Sequence, residues 1–436
     1  MRRLNIFLIV SVVFNTLFAQ ELARRAIWEA KFDRSELRQH PGVEVTLVEP
    51  DGPLAQAGLE AGDLLLKVDD RLIDSSEAWD DITYSIRGNK QTNLQIKRDG
   101  ELKNINVRLN ELPMETHTNI RTLYETVTSN YGITQRVITT IPDKKQSKQP
   151  AILLLQGLSC STIELFPGRS SNWGKVINAI VEDSDMVVMR VDKPGVGDSE
   201  GDCSQTDFLT ELAGYRAAIE HLMAQEYIDT DRIVVVGSSM GSALAPLIAN
   251  EYKLAGVISD GVFFKTWYEH MLEIERRIRQ MSGDNEATIA EKMNNYYIPL
   301  YYGMHIQKKT YGEVADAYPA LATYNYHGPE HMYGRPVSYY QQLQDFPLAA
   351  EWEKLKVPVR IMRGTNDWIM SDEDNDLIID VLERSGHTDH ELYRYPGLDH
   401  WATIHRSAKD SFEGKPGEWD PKMVAIMIQW AQDMVD

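Results

Sequence analysis

Two hydrophobic patterns divide the chain. Between residues 43 and 109, short runs alternate apolar and polar positions and are broken by turn residues: VEVTLVEP, DGP, LAQAGLEAGD and LLLKVDD follow one another. Farther on, NLQIKRDGELKNINVRL reads as two alternating strands joined at Asp99-Gly100, a dipeptide that suits a tight hairpin. A period of two predicts a small, mainly β unit. Residues 110–122, NELPMETHTNIRT, carry neither period and read as a linker. Beyond them ITQRVITTIP, QPAILLLQG, DMVVMRVD, RIVVVG, LAGVISDG, VPVRIMRGTND and HELYRYPG read as strands, most of them apolar throughout. NWGKVINAIVED, DFLTELAGYRAAIEHLMAQ, SALAPLIANEY, DLIIDVLERSG and PKMVAIMIQWAQDMV have helical spacing. Strands apolar on both faces, separated by amphipathic helices, predict an α/β fold: a mostly parallel sheet covered on both sides. The alternation lapses at 262–346, which holds 12 of the 20 tyrosines with Trp267, His270, His305, His327 and His331. That segment reads as an insertion over the C-terminal edge of the sheet. Its aromatic side chains suit a wall against substrate or a small core of its own.

Composition narrows the class. At 436 residues, 43% hydrophobic and 25% charged, the chain is globular and long enough for two domains. A net charge of −20 with no basic stripe excludes nucleic acid as a partner. The N-terminus, MRRLNIFLIVSVVFNTLFAQE, has two arginines, an apolar stretch from Ile6 to Phe18 and a small residue, Ala19. These are the parts of a secretory signal peptide at 1–19, and the stretch is shorter than the ~20 residues of a spanning helix. They predict an exported protein, periplasmic or extracellular, with no stable membrane anchor once the leader is removed. Two cysteines, Cys160 and Cys203, are the smallest number that can form a bridge in such a compartment.

The chemistry centres on VVVGSSMGSA. Gly237-Ser238-Ser239-Met240-Gly241 has the spacing G-x-S-x-G between a predicted strand and a predicted helix. So tight a turn crowds its flanks, which favours glycine there, and thrusts the central side chain above the sheet at the helix N-terminus. Ser239 is therefore the candidate nucleophile, and Ser238 serves the turn. A serine hydroxyl needs a base, and the base an orienting acid. His400 in YPGLDHW follows the late run ELYRY and fits the base, whereas His387 and His390 precede that run and His405 lies beyond the loop. Asp367, at the end of VRIMRGTND, is the leading acid, with Asp260 in GVISDG as its competitor. Asp367 also suits the cap of the following helix, a role open to Ser371 or Asp372.

Val48 to Ile73, VEPDGPLAQAGLEAGDLLLKVDDRLI, together with the later hairpin resembles a bacterial-type PDZ domain, expected at 35–112. Such domains bind extended peptides by adding a strand to a sheet edge. The loop that would grip the peptide carboxylate falls at RQHPGVEV, without a glycine–hydrophobic–glycine pattern, so a packing role stands beside peptide binding. The order Ser239, Asp367, His400 resembles that of α/β-hydrolases. GSSMGS resembles the Gly-x-Ser-Met-Gly turn of the branch holding monoacylglycerol lipases and serine aminopeptidases. VMRVDKPGVGDSEG, Val188 to Gly201, is similar to the D-x-P-G-x-G-x-S stretch of many members, and LLLQGLSCS to their oxyanion strand and turn, with Gln156 where many have histidine. The resemblance implies an α/β-hydrolase fold over 120–436 with its lid at 262–346. It implies oxyanion donors in the backbone N–H groups of Leu158 and Met240. It also implies a Cys160–Cys203 disulfide, because both cysteines follow neighbouring strands from the same sheet edge.

Three functions are expected in turn. The first is a serine hydrolase acting on a carboxylic ester, needing neither metal nor cofactor, since no cluster has zinc-ligand spacing and no phosphate-binding glycine loop is visible. The second is a serine peptidase releasing short N-terminal fragments, with Glu269, Glu273 or Glu275 clamping the substrate amine. The third is a non-catalytic protein that binds peptides through the PDZ-like module.

Overall fold

The computed structural model describes residues 22–37, 39–144, 147–166, 171–318, 321 and 331–436. The expected leader at 1–19 and His327 lie outside them. No helix among the described residues is long and apolar enough to cross a membrane.

The first sheet comprises β1 (Ala30–Asp33), β2 (Val43–Val48), β3 (Leu64–Val68), β4 (Arg71–Leu72), β5 (Gln91–Arg98) and β6 (Glu101–Arg108), in the order β1-β2-β3-β5-β6 with β4 against β3. Alternation does the sorting: Val43, Val45, Leu65, Leu94 and Ile96 are fully buried while their neighbours face out. The β5–β6 turn has positive φ at both Asp99 (52°) and Gly100 (86°), which explains that dipeptide. Helix α1 (Ser76–Ser85) is capped by Ser75, whose hydroxyl accepts from Ala78 N–H. β1 runs antiparallel to β2, Ala30 opposite Val48, so β2 is flanked on both sides. Phe32 on β1 lies 4.9 Å, ring to ring, from Trp79 on α1.

The second sheet has eight strands: β7 (Ile120–Thr128), β8 (Thr134–Pro142), β9 (Gln149–Leu155), β10 (Val187–Val191), β11 (Ile228–Ser238), β12 (Gly256–Asp260), β13 (Val359–Gly364) and β14 (His390–Tyr395). Their order is β14-β13-β12-β11-β9-β10-β8-β7, parallel from β14 to β10 and closed by the antiparallel β7–β8 hairpin. Residues 120–122 are therefore strand and not linker. β7 is an edge strand, half-exposed along most of its length, so polar residues occupy it and no apolar run marks it.

Successive residues of the central strands serve opposite cores. Leu153, Leu155 and Val235 pack with helices α3 (Phe208–Met223) and α4 (Met240–Tyr252) and with the 262–346 segment. Ile152, Leu154, Val234 and Val236 pack with α2 (Asn172–Asp183) and α7 (Pro421–Asp433). The 262–346 segment is mostly helical, opening with α5 (Trp267–Met281), and α6 (Asp372–Arg384) follows β13.

The arm before β1 joins the two units. Arg24 donates to Asp198 at 2.7 Å and to Glu164, and the Arg25 N–H donates to Asp198 at 2.9 Å. All four side chains are buried, so losing one partner would leave a buried charge uncompensated. Glu164 belongs to the loop after β9, and nothing in the local pattern pointed to this contact.

Candidate active site

β11 delivers Ser239 and α4 begins immediately after it. Ser239 has φ 53° and ψ −118°, a conformation side-chain-bearing residues rarely adopt and one the turn must impose. The two glycines explain how the turn closes. A Cβ at Gly237 would lie 2.4 Å from the Gly241 carbonyl oxygen, and one at Gly241 would lie 2.1 Å from that of Leu155. The Ser239 N–H donates to the Asp260 carbonyl at 2.8 Å, which fixes the turn to β12.

Three side chains meet above this turn. His400 Nε2 is 2.9 Å from Ser239 Oγ, and His400 Nδ1 is 2.9 Å from Asp367 Oδ2. The other Asp367 oxygen accepts the N–H groups of Ile369 and Met370, so one carboxylate both orients the histidine and holds its own loop. Ser371 sits at the N-cap of α6 without a side-chain capping bond. Burial raises the Asp367 pKa, but the His400 charge and hydrogen bond, with Arg363, outweigh it and hold it below the ordinary value. Burial presses His400 towards neutrality, yet the Asp367 charge and hydrogen bond, with Asp260 and Asp399, set it above its ordinary value. Asp260 is pushed up to about 7, chiefly by burial, and accepts a hydrogen bond from Ser238. The Ser238 hydroxyl thus serves the neighbouring acid.

The other candidates lie elsewhere. His387 is 2.8 Å from the Val357 carbonyl, His405 is 3.2 Å from Asp399, and His390 is 3.8 Å from Glu383. Glu269 closes a capping box with Thr266, Glu273 pairs with Lys265 at 2.5 Å, and Glu275 accepts from Tyr301 at 2.8 Å. None of these three carboxylates lines the cavity at Ser239.

That cavity has a volume of about 1250 Å³. Ser239, Met240, His400 and Leu158 line it, with Trp173, Phe263, Trp267, Met271, Ile274 and Trp368 among its apolar walls. Tyr84, at the end of α1, reaches the same cavity from the first unit. Burial lowers the pKa of His270, also in the wall, to about 3, so that imidazole is neutral. Leu158 sits on the loop after β9, and Met240 opens α4 immediately after Ser239. Gln156 turns its side chain to the Val191 carbonyl at 3.1 Å, away from any histidine-like role. Cys160 and Cys203 are joined, with Cα atoms 5.9 Å apart.

The sequence model of the alpha/beta hydrolase family matches residues 152–410, more than half of the chain. The chain belongs to that family. A PDZ domain model matches residues 30–109. Over the same region the chain is similar to a probable periplasmic serine endoprotease DegP-like of Halomonas elongata, 35% identical over 72 residues, or 16% of this chain and 15% of that protein. A protein of the same description from Pseudomonas fluorescens is 29% identical over 79 residues, 18% of this chain and 17% of that one. The chain thus spans less than a fifth of the length of these curated relatives. Among solved structures, an esterase of Pyrococcus furiosus is 14% identical, with 74% of this chain and 97% of that one covered and a TM-score of 0.42. Acetyl xylan esterase 1 of Thermoanaerobacterium is 14% identical, with 75% and 88% covered and a TM-score of 0.44. The proline iminopeptidase of Mycobacterium smegmatis is 17% identical, with 72% and 98% covered and a TM-score of 0.43.

Proposed function

We propose that this α/β hydrolase is an exported serine esterase whose substrates carry a bulky apolar group. Ser239 Oγ attacks the acyl carbon while His400 Nε2 takes its proton, and the proton then passes to the leaving alcohol. Asp367 keeps Nδ1 protonated and stabilises the imidazolium. The N–H groups of Leu158 and Met240 receive the oxyanion, and a water activated by His400 releases the acid from the acyl-enzyme. One observation carries the reading: Ser239 Oγ and Asp367 Oδ2 each lie 2.9 Å from a different nitrogen of the same imidazole. The largely apolar cavity supports the substrate class. Export is supported by the leader-like N-terminus and by the periplasmic relatives of the PDZ region. A peptide is the proposed ligand of the first unit, taken when β1 leaves the side of β2 that it covers.

Labelling the purified chain with a fluorophosphonate, beside Ser239→Ala, tests the proposal. Labelling of the wild type alone, with turnover of hexanoyl or aryl esters exceeding that of aminoacyl amides, is the expected result. Absence of labelling in both proteins would overturn it, and preference for the amides would reassign the substrate.

A further inference from the structure

Behind the loop that carries Leu158 lies a group of buried charges with no part in the scheme above. Lys193, just after β10, donates from Nζ to the Gly157 carbonyl and, at 3.3 Å, to the Ser159 carbonyl. These residues flank Leu158. Lys193 Nζ is 3.2 Å from Glu211 on α3, and Glu211 pairs in turn with Arg335, which lies in the 262–346 segment. Arg335 also reaches the Cys203 sulfur of the disulfide at 2.5 Å. The three charged side chains are at most 1% exposed. Each pays heavily in lost hydration, so the arrangement calls for a reason.

The peptide unit supplies one. In a trans peptide the C=O and N–H point to opposite sides. A Gly157 carbonyl turned to Lys193 therefore turns the N–H of the same unit, that of Leu158, away from Lys193. Leu158 lines the cavity with Ser239, and Lys193 does not. Ser239 is close by: a Cβ at residue 157 would stand 3.2 Å from Ser239 Cβ. A charged donor on the carbonyl also polarises the unit and strengthens its N–H as a donor. The residue before Lys193 holds the far end of the same loop. Asp192 accepts from Thr162 Oγ1 and from the Ile163 N–H, each at 3.0 Å.

We propose that Lys193 is a positioning residue: by holding the carbonyls of Gly157 and Ser159 it aims the Leu158 N–H at the oxyanion formed when Ser239 attacks. Glu211 holds Lys193 in place, and Arg335 ties it to the 262–346 segment. The inference rests on the esterase reading above.

The test compares wild type, Lys193→Met and Lys193→Gln with p-nitrophenyl hexanoate. It adds the affinities of a trifluoromethyl ketone, which forms a tetrahedral oxyanion adduct, and of the matching methyl ketone. Removing an oxyanion donor outright lowers kcat about 10²–10³-fold, so a misaimed one should lower it about 30–100-fold. In Lys193→Met we expect that loss in kcat with KM within threefold, and an equal weakening of the trifluoromethyl ketone alone. Lys193→Gln retains a donor and should lose less. Should Lys193→Met fail to melt cooperatively, Lys193→Gln carries the comparison against wild type. An unchanged kcat, or a loss confined to KM, would overturn the proposal while leaving the esterase reading intact. A wild type that neither labels nor turns over ester would remove both.

Discussion

The two sheets of this molecule treat their edges in opposite ways. In the eight-stranded sheet, the C-terminal ends of β11, β12 and β13 and the turns after them bring Ser239, Asp260 and Asp367 around His400, beneath a cavity of about 1250 Å³. In the six-stranded sheet, β2 runs between β3 and β1, and Phe32 of β1 packs on Trp79 of α1. A parallel sheet presents its loop-borne side chains at one end, where ligands gather. An antiparallel sheet offers main chain at its edges, and here the chain's own β1 covers one side of β2. The difference teaches that a PDZ-type sequence and an open peptide site are separate properties. In this chain the first unit bears on the other through Arg24, Arg25 and Tyr84, which touch the loop and cavity of the hydrolase unit.

The contrast can be broken most sharply at Ser239. Ser239→Ala should abolish fluorophosphonate labelling and lower ester turnover by about 10⁶-fold, leaving the melting transition in place. Residual turnover above one part in a hundred would place the nucleophile elsewhere. Asp367→Asn should lower kcat by about 10⁴-fold. It also tests the electrostatics. In the proposed scheme the base is neutral His400, so kcat/KM in the wild type should fall as pH drops through a His400 pKa above its ordinary ~6.5. Loss of the Asp367 charge removes the principal cause of that elevation, and the acid limb should move to lower pH. A limb that stays put would mean that Asp260 supplies the field.

Stability separates the units next. The Cys160–Cys203 bridge closes a loop of sequence separation 43, and Cys160→Ser with Cys203→Ser should cost about 4 kcal/mol in urea unfolding of the hydrolase unit. The smallest effect is expected in the first sheet. Phe32→Asp should loosen β1 at a cost of about 1–2 kcal/mol while ester turnover stays within twofold. The same change should raise affinity for an apolar C-terminal peptide at least tenfold, read from Trp79 fluorescence. Equal, measurable affinity in both proteins would show that β1 does not compete for that edge.

Much of this was legible from local pattern. Seven of the eight strands of the large sheet were read from the sequence, most of them from apolar runs, because burial on both faces leaves few polar positions in β9, β10 and β12. β7 escaped, since an edge strand tolerates threonine and glutamate. G-x-S-x-G singled out Ser239 because only glycine fits the two crowded flanks. Local pattern put Asp367 ahead of Asp260 without removing the competitor: Asp260 ends β12, Asp367 lies three residues past the end of β13, and the charges of both act on His400. Geometry gives the hydrogen bond to Asp367 and leaves Asp260 a buried neighbour of raised pKa, bonded to Ser238.

What the sequence alone determined, then, is what a few neighbouring residues can encode: strand and helix periods, a turn that demands glycine, the asparagine-free hairpin at Asp99-Gly100, and a family resemblance. Only the tertiary structure decided which distant groups meet. His400 reaches Ser239 across 161 positions, Arg24 reaches Glu164 across 140, and Lys193 reaches Gly157 across 36. Such contacts follow from strand order and register, and those are set by the packing of whole elements against one another, which no short stretch of sequence records.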